Sequence, residues 1–278
     1  MSGWVETVRS VVQRWEIDGT DHFTVAYYFL RLGDAAFAML DALGLAPTAL
    51  LTTEAYVRYQ RELRVGDVFH IESGVIDVDD DTLVLGHKIF DSGDGTLTTT
   101  VEHRLRGALS ADARKKADAR RVTWDGPKRE PRPQPRGLEG FTDSARDTVR
   151  PWEIDATGGS ALTHYIHRFT AANGHSTVGF GLTPAFYRDH RRGYSTFEFL
   201  LSVDGLLRAG DLIVVKSAPL HVGTTSLRMF HQMLDARTGR RVAALDQFGV
   251  LLDLDARRPS AMPDWMNERA KALVAPTA

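Results

Sequence analysis

Between residues 29 and 43 the apolar positions Phe29, Leu32, Ala36, Met39 and Leu43 recur at spacings of three and four. That is the stripe of a helix with one buried face, and Gly44 and Pro47 supply its stop. Before it, residues 7–17 mix β-branched and apolar residues with polar ones and predict a strand, and residues 18–21 (Asp-Gly-Thr-Asp) carry turn chemistry. After it the period changes to two over residues 53–64, 67–77, 82–91 and 96–106, with turn residues such as Asp-Ser-Gly-Asp-Gly at 91–95. One strand, one central helix and an antiparallel meander are expected. The second half repeats the order: a strand over 147–154, a helix opening with Ile166, Phe169 and Ala172, and strands over 196–207, 211–220, 225–235 and 241–254.

The repetition extends to the letters. Trp-Glu-Ile-Asp stands at Trp15 to Asp18 and again at Trp152 to Asp155, followed at equal distance by Tyr28 and Tyr165. Leu63-Arg64-Val65-Gly66-Asp67 is echoed by Leu207-Arg208-Ala209-Gly210-Asp211, and His87, Asp91 and Gly95 by His231, Asp235 and Gly239. The offset is 137 early (15 to 152) and 144 later (63 to 207), so one duplication with a seven-residue insertion in the second copy, expected around residues 174–192, accounts for every match. The α+β chain is therefore expected to divide into an N-terminal domain over 1–112, a linker over 113–137 and a C-terminal domain over 138–278. A sheet that wraps a long helix leaves strand edges open, and two such sheets joined edge to edge would protect them, which is a reason for tandem copies to fold as one body.

Asp18, His22, Tyr28, Leu30, Arg31 and Asp34 resemble the signature of hotdog acyl thioesterases: an Asp, often Gly-His four residues on, a Tyr ten residues after the Asp and an acid in the helix. Residues 18–22 look like the Asp-x-Asn-x-His segment of acyl-carrier-protein thioesterases, with Thr20 in place of Asn, and residues 155–158 look like the Asp-Ala-x-Gly of the 4-hydroxybenzoyl-CoA thioesterase branch. Both sequence and element order resemble the tandem, double-hotdog form, two antiparallel sheets each wrapped around a long central helix. The chain departs from the pattern at residues 23–25 (Phe-Thr-Val for Val-Asn-Asn), at Asp21 for Gly, and at Gly159 where the first copy has His22. The two copies are therefore chemically unequal.

What the resemblance implies is hydrolysis of an acyl-CoA or acyl-carrier-protein thioester in fatty acid metabolism, with no cofactor beyond the coenzyme A of the substrate. Asp18 or Asp155 would act as base or nucleophile, and unpaired amides at the following helix start, around 26–29 or 163–166, would stabilise the oxyanion. Each Asp also suits a turn or a helix cap. Thr20 and Thr157 would orient the carboxylate or water, or serve as turn hydroxyls. His22 would bind the carbonyl or water, or be a surface histidine. Asp34 would be a second acid, or a charge favourable to the first helical turn. Tyr28 and Tyr165 would line the substrate or pack the helix start. Arg191 and Arg192 in the insertion, like the basic residues of the linker, would attract phosphates of coenzyme A or an acidic carrier, or be solvated charges. His87 and His231 are expected to be structural. The pairs Glu102-His103 and Asp246-Gln247 are expected to follow solvent-facing alternation.

Composition narrows the field. The chain has 278 residues, 43% hydrophobic and 25% charged, which suffices for real cores. A net charge of -2 calls for no nucleic acid partner, and the absence of cysteine removes thiolate chemistry, disulfides and cysteine metal sites. No basic-then-apolar leader and no long apolar run is visible, so a cytoplasmic location without membrane contact is expected, and homo-oligomers of the pseudo-dimer are compatible with the duplication. The chain lacks Gly-x-Ser-x-Gly, Gly-Lys-Ser/Thr and metal-type histidine pairs, which argues against an α/β-hydrolase, nucleotide hydrolysis and a bound metal. Two other readings stay open: a hotdog hydratase or dehydratase, weakened because Asp18 and His22 are four apart with no Asn between, and an acyl-CoA-binding protein without catalysis.

Overall fold

A computed structural model describes residues 3–278; Met1 and Ser2 of the N-terminal stretch read for a leader lie outside them. The chain divides into two compact units, Met1–Lys128 with Pro151–Ile166, and Arg129–Arg150 with His167–Ala278.

In the first unit β1 (Val5–Val11), β2 (Leu51–Tyr59), β3 (Val68–Val78), β4 (Thr82–Asp91) and β5 (Leu97–Arg106) are ordered β1-β3-β4-β5-β2, each pair antiparallel. Helix α1 (Val25–Ala42) buries the whole stripe that periodicity predicts, with Phe29, Leu32, Ala36, Met39 and Leu43 at most 3% exposed. Met39 and Leu43 pack with Val75, Leu83, Leu85 and Leu105 from β3, β4 and β5. This is the long helix that the antiparallel strands pack against.

In the second unit β6 (Thr142–Thr148), β7 (Arg192–Val203), β8 (Leu212–Val222), β9 (Ser226–Asp235) and β10 (Arg241–Asp253) are ordered β7-β10-β9-β8-β6, again antiparallel, with the short β11 (Arg258–Pro259) on β10. The long helix of this copy is α3 (Leu162–Val178).

The described residues hold five α-helices, three more than the two long ones. Helix α2 (Ala111–Asp118) opens the stretch read as a linker, capped by Ser110 Oγ accepting from Ala113 N at 3.1 Å. Helix α4 (Pro184–His190) lies within the expected insertion, with Thr183 as its cap. Helix α5 (Asp264–Ala272) follows the last long strand. The first strand of each copy begins and ends earlier than expected, at Val5 instead of 7 and at Thr142 instead of 147. Residues 14–16 and 151–153 form single 3-10 turns, so the strands end at Val11 and Thr148 instead of reaching Ile17 and Ile154.

The repeated letters mark equivalent joints. Gly66 and Gly210 each have φ near +89°, a region that favours glycine. Beyond each, Asp67 O and Asp211 O accept from Val12 N and Val149 N at 2.9 Å, which ties the turn to the end of the first strand. Asp67 Oδ2 and Asp211 Oδ2 accept from Arg64 N and Arg208 N at 2.8 and 2.7 Å. His87 and His231, fully buried, each bond a serine on the neighbouring strand: Ser73 Oγ at 2.7 Å, and Ser217 Oγ at 2.6 Å. Those serines in turn bond Thr7 Oγ1 and Ser144 Oγ, so a three-residue polar chain runs through each core. Burial pushes the imidazole of His231 down to about 4 and that of His87 well below its ordinary range, so both are neutral.

The pairs expected on a solvent-facing edge are largely buried instead: His103, Asp246 and Gln247 are at most 7% exposed, and Glu102 is half-buried. The chain between the copies reaches Glu102 and, through Arg228, Asp246, while His103 bonds Thr52 Oγ1 at 2.8 Å and Gln247 donates to Thr196 Oγ1 at 2.8 Å. Trp124 lies over Gly86, where a Cβ would come within 2.7 Å of the indole, and its Nε1 donates to Glu102 Oε1 at 2.9 Å. In the second unit Arg228 holds Asp246 through two bonds of 2.8 and 2.7 Å and donates to Pro133 O.

Candidate active site

Each Trp-Glu-Ile-Asp motif places an Asp immediately before a tight turn into the long helix. The Trp is exposed in both copies, at 71% and 77%, so the motif is not a core position repeated. Its Glu is buried. Glu16 Oε2 accepts from Gln13 N at 2.9 Å while Oε1 accepts from Arg31 Nη2 at 2.7 Å, clamping the turn to α1. The Ile begins a one-bridge ladder that closes the turn, Ile17 with Phe23 and Ile154 with Ser160.

Inside the turns the carboxylates are held alike. Asp18 Oδ1 accepts from Thr20 N at 2.8 Å and from Thr20 Oγ1 at 2.6 Å; Asp155 Oδ1 accepts from Thr157 N at 2.8 Å and from Thr157 Oγ1 at 2.5 Å. The backbone repeats too, with Asp18 N donating to His22 O at 2.8 Å and Asp155 N to Gly159 O at 2.9 Å. Asp21 takes φ +62° where Gly158 takes +79°, so the departure from Gly leaves the turn type unchanged. In both copies the bonds fall on Oδ1. Oδ2 makes none of them, and a carboxylate so oriented presents one oxygen for a proton or a carbonyl carbon.

The surroundings differ. Asp18 is exposed and its Oδ1 also accepts from His22 N at 3.2 Å, whereas Asp155 is half-buried. His22 is engaged on both ring nitrogens, Nδ1 with Thr20 Oγ1 at 3.1 Å and Nε2 with Glu62 at 2.9 Å. The corresponding Gly159 is buried and bonds Thr157 Oγ1 through its N-H at 3.3 Å.

The helix starts supply donors. Tyr27 N bonds Thr24 O and His164 N bonds Ala161 O, which leaves the N-H groups of Val25 and Ala26, and of Leu162 and Thr163, without acceptors. Around them the first copy is apolar, with Phe23 and Ala26 buried, while the second has Ser160 and Thr163 at those positions. The hydroxyls of Ser160 and Thr163 are buried and have no partner, each opposing folding by about 1–3 kcal/mol. Residue-by-residue reading of the motif missed both. The signal was available in the offset of 137, which sets Phe23 against Ser160 and Ala26 against Thr163.

The remaining candidates lie as follows. Tyr28 is buried with its ring 4.5 Å from Phe23 and 5.2 Å edge-on to Tyr59, and burial pushes its phenol up. Tyr165 is likewise buried. Asp34 stands in the third turn of α1, not near its start, because the helix begins at Val25; it is exposed, 3.5 Å from Arg31, and the first-turn charge reading does not apply. Arg191 caps α4 at φ +50° and pairs with Asp255 at 3.0 Å, and Arg192 opens β7. In the linker, Arg121 pairs with Asp77 and Asp118, and Lys116 with Asp112. Among the described residues no group of His, Cys, Asp and Glu could hold a metal ion, and no helix is long and apolar enough to cross a membrane.

A profile of the thioesterase-like superfamily matches residues 11–123 and 149–270, one match for each copy. The chain belongs to the thioesterase-like superfamily. Solved structures similar to it include a protein of Lactobacillus plantarum provisionally assigned as an oleoyl thioesterase (13% identity, 89% of this chain and 96% of that one, TM-score 0.69). An acyl-ACP thioesterase from Bacteroides thetaiotaomicron aligns at 12% identity over 90% of this chain and 98% of its own, with TM-score 0.67. The 12:0-ACP thioesterase from Umbellularia californica aligns at 9% identity over 93% and 95%, with TM-score 0.67. At such identities the likeness is one of fold, the hotdog fold. No curated protein sequence matches the chain.

Proposed function

We propose that this superfamily member hydrolyses the thioester of an acyl-CoA or acyl-carrier protein, in a double-hotdog arrangement with each copy's sheet wrapped around its long helix. The reading rests above all on one geometry, seen twice: a carboxylate with Oδ1 fixed by a threonine and Oδ2 uncommitted, a few residues before a helix start with two unpaired amides.

In this reading water is the nucleophile and Oδ2 of Asp155 or Asp18 takes its proton. The water oxygen bonds the carbonyl carbon, negative charge gathers on the former carbonyl oxygen and the helix amides stabilise it. Collapse breaks the C-S bond, the proton passes to the departing sulfur, and a carboxylic acid and a thiol result. Direct attack by the carboxylate would give an anhydride that water then opens. Thr20 and Thr157 orient the acids, Tyr28 and Tyr165 hold the helix start against the acyl group, and Arg191 and Arg192 attract phosphate. Coenzyme A enters only as part of the substrate.

The test is release of free thiol from a panel of acyl-CoAs and acyl-carrier proteins by the full chain, with Asp18→Asn and Asp155→Asn singly and together. Thiol release with loss in the double variant is expected. Release unchanged in the double variant discards the site. Consumption of an enoyl-CoA without thiol would favour a hydratase, and tight binding with neither reaction a binding module.

A further inference from the structure

The two copies act as internal controls for each other at the helix start. A start that serves only the fold should look like the first copy's, where Phe23 and Ala26 are 4% and 0% exposed and their side chains carry no group needing a partner. The second copy has hydroxyls at both places, Ser160 at 4% and Thr163 at 5% exposure, and neither is bonded. Folded proteins leave few buried hydroxyls unmet, and those that remain call for an explanation. The turn does not use them, since the carboxylate of Asp155 is held by Thr157 alone and its backbone by Gly158 and Gly159. The N-H groups of Leu162 and Thr163 are unmet in the same stretch, at the leading end of a helix of 17 residues. Four donors thus fall within residues 160–163, beginning five residues after Asp155.

We propose that the second copy is the working site and that the hydroxyls of Ser160 and Thr163 donate hydrogen bonds to the carbonyl oxygen of the thioester, in a cradle completed by the amides of Leu162 and Thr163. The proposal rests on the thioesterase reading and deepens it. Donors on that oxygen strengthen as it gains the electron pair of the C=O bond, so they act on the rate more than on ground-state binding. The first copy, with amides alone and an exposed acid, lacks half of the cradle.

The experiment measures kcat and KM for thiol release from the acyl-CoA that the wild-type chain cleaves fastest, with thermal midpoints recorded alongside. Ser160→Ala and Thr163→Val should each lower kcat by roughly 10-fold or more and the pair by about 10²-fold, with KM little changed and the thermal midpoint equal or higher. Thr163→Ser, which keeps the hydroxyl, should restore the rate. Wild-type kcat in both single variants overturns the inference, as does a lowered thermal midpoint in Thr163→Val with no rescue by Thr163→Ser. If Asp155→Asn is inactive while the hydroxyl variants are not, this inference alone falls. A wild-type chain that releases no thiol from any substrate removes the thioesterase reading and this inference together.

Discussion

The turn at Asp18 and the turn at Asp155 have the same backbone bonds and the same threonine on Oδ1, yet they lead into different surroundings. The first is exposed, beside a buried Phe23 and a histidine already committed to Glu62. The second is half-buried, lacks the histidine and carries hydroxyls that nothing in the chain satisfies. Duplication preserved the joint in both copies and let the chemistry beside it diverge. The shared acids and threonines carry the common geometry, and the residues that differ at equivalent places set the copies apart.

The strongest way to break this comparison is to remove the acids one at a time. Asp155→Asn is expected to cost thiol release at least ~10²-fold and Asp18→Asn clearly less; equal losses would show two equal sites. Next in size is the clamp. Arg31→Met strands the buried carboxylate of Glu16 and should destabilise the chain by about 2 kcal/mol, less than for a fully enclosed pair because Arg31 is partly exposed, read as a shift in the urea midpoint.

The histidine cores differ in number. The first copy holds His87 and His103, with burial pushing His103 to about 3, and the second holds His231, pushed to about 4, with Gln247 in place of His103. These folded values lie below the ordinary 6.5. Below about pH 6.5 the unfolded chain binds protons that the folded chain refuses, so stability is full above that pH and falls on acidification toward about pH 4, by ~1.4 kcal/mol per pH unit for each histidine. His103→Gln should flatten the slope of unfolding free energy against pH by one histidine's share. The smallest effect sharpens the likeness instead. Gly66→Ala and Gly210→Ala, both at φ near +89° with open space around the position, should each cost about 1 kcal/mol and cost the same.

Much of this was legible in the chain. The stripe from Phe29 to Leu43 is buried as spacing requires, and β4 runs from Thr82 to Asp91 as alternation predicts. Strand ends near the repeated motif differ from expectation because the Glu16 side chain folds back to accept from Gln13 N and from Arg31, bonds that outweigh β-propensity in residues 12–17. Asp34 was set too near a helix start that lies at Val25, nine residues before it.

The order of residues alone determined the duplication, the central helix with its meander and the paired aspartates, since periodicity and repetition are local properties that survive without a fold. Only the tertiary structure decided which polar side chains are buried and which of those find partners. Asp246 went inside because Arg228, itself bonded to Pro133 O of the chain between the copies, pairs with it. His103 and Gln247 face the other side of their strands and bond Thr52 and Thr196. Ser160 and Thr163 became the notable donors because burial removed water and the fold supplied nothing in its place.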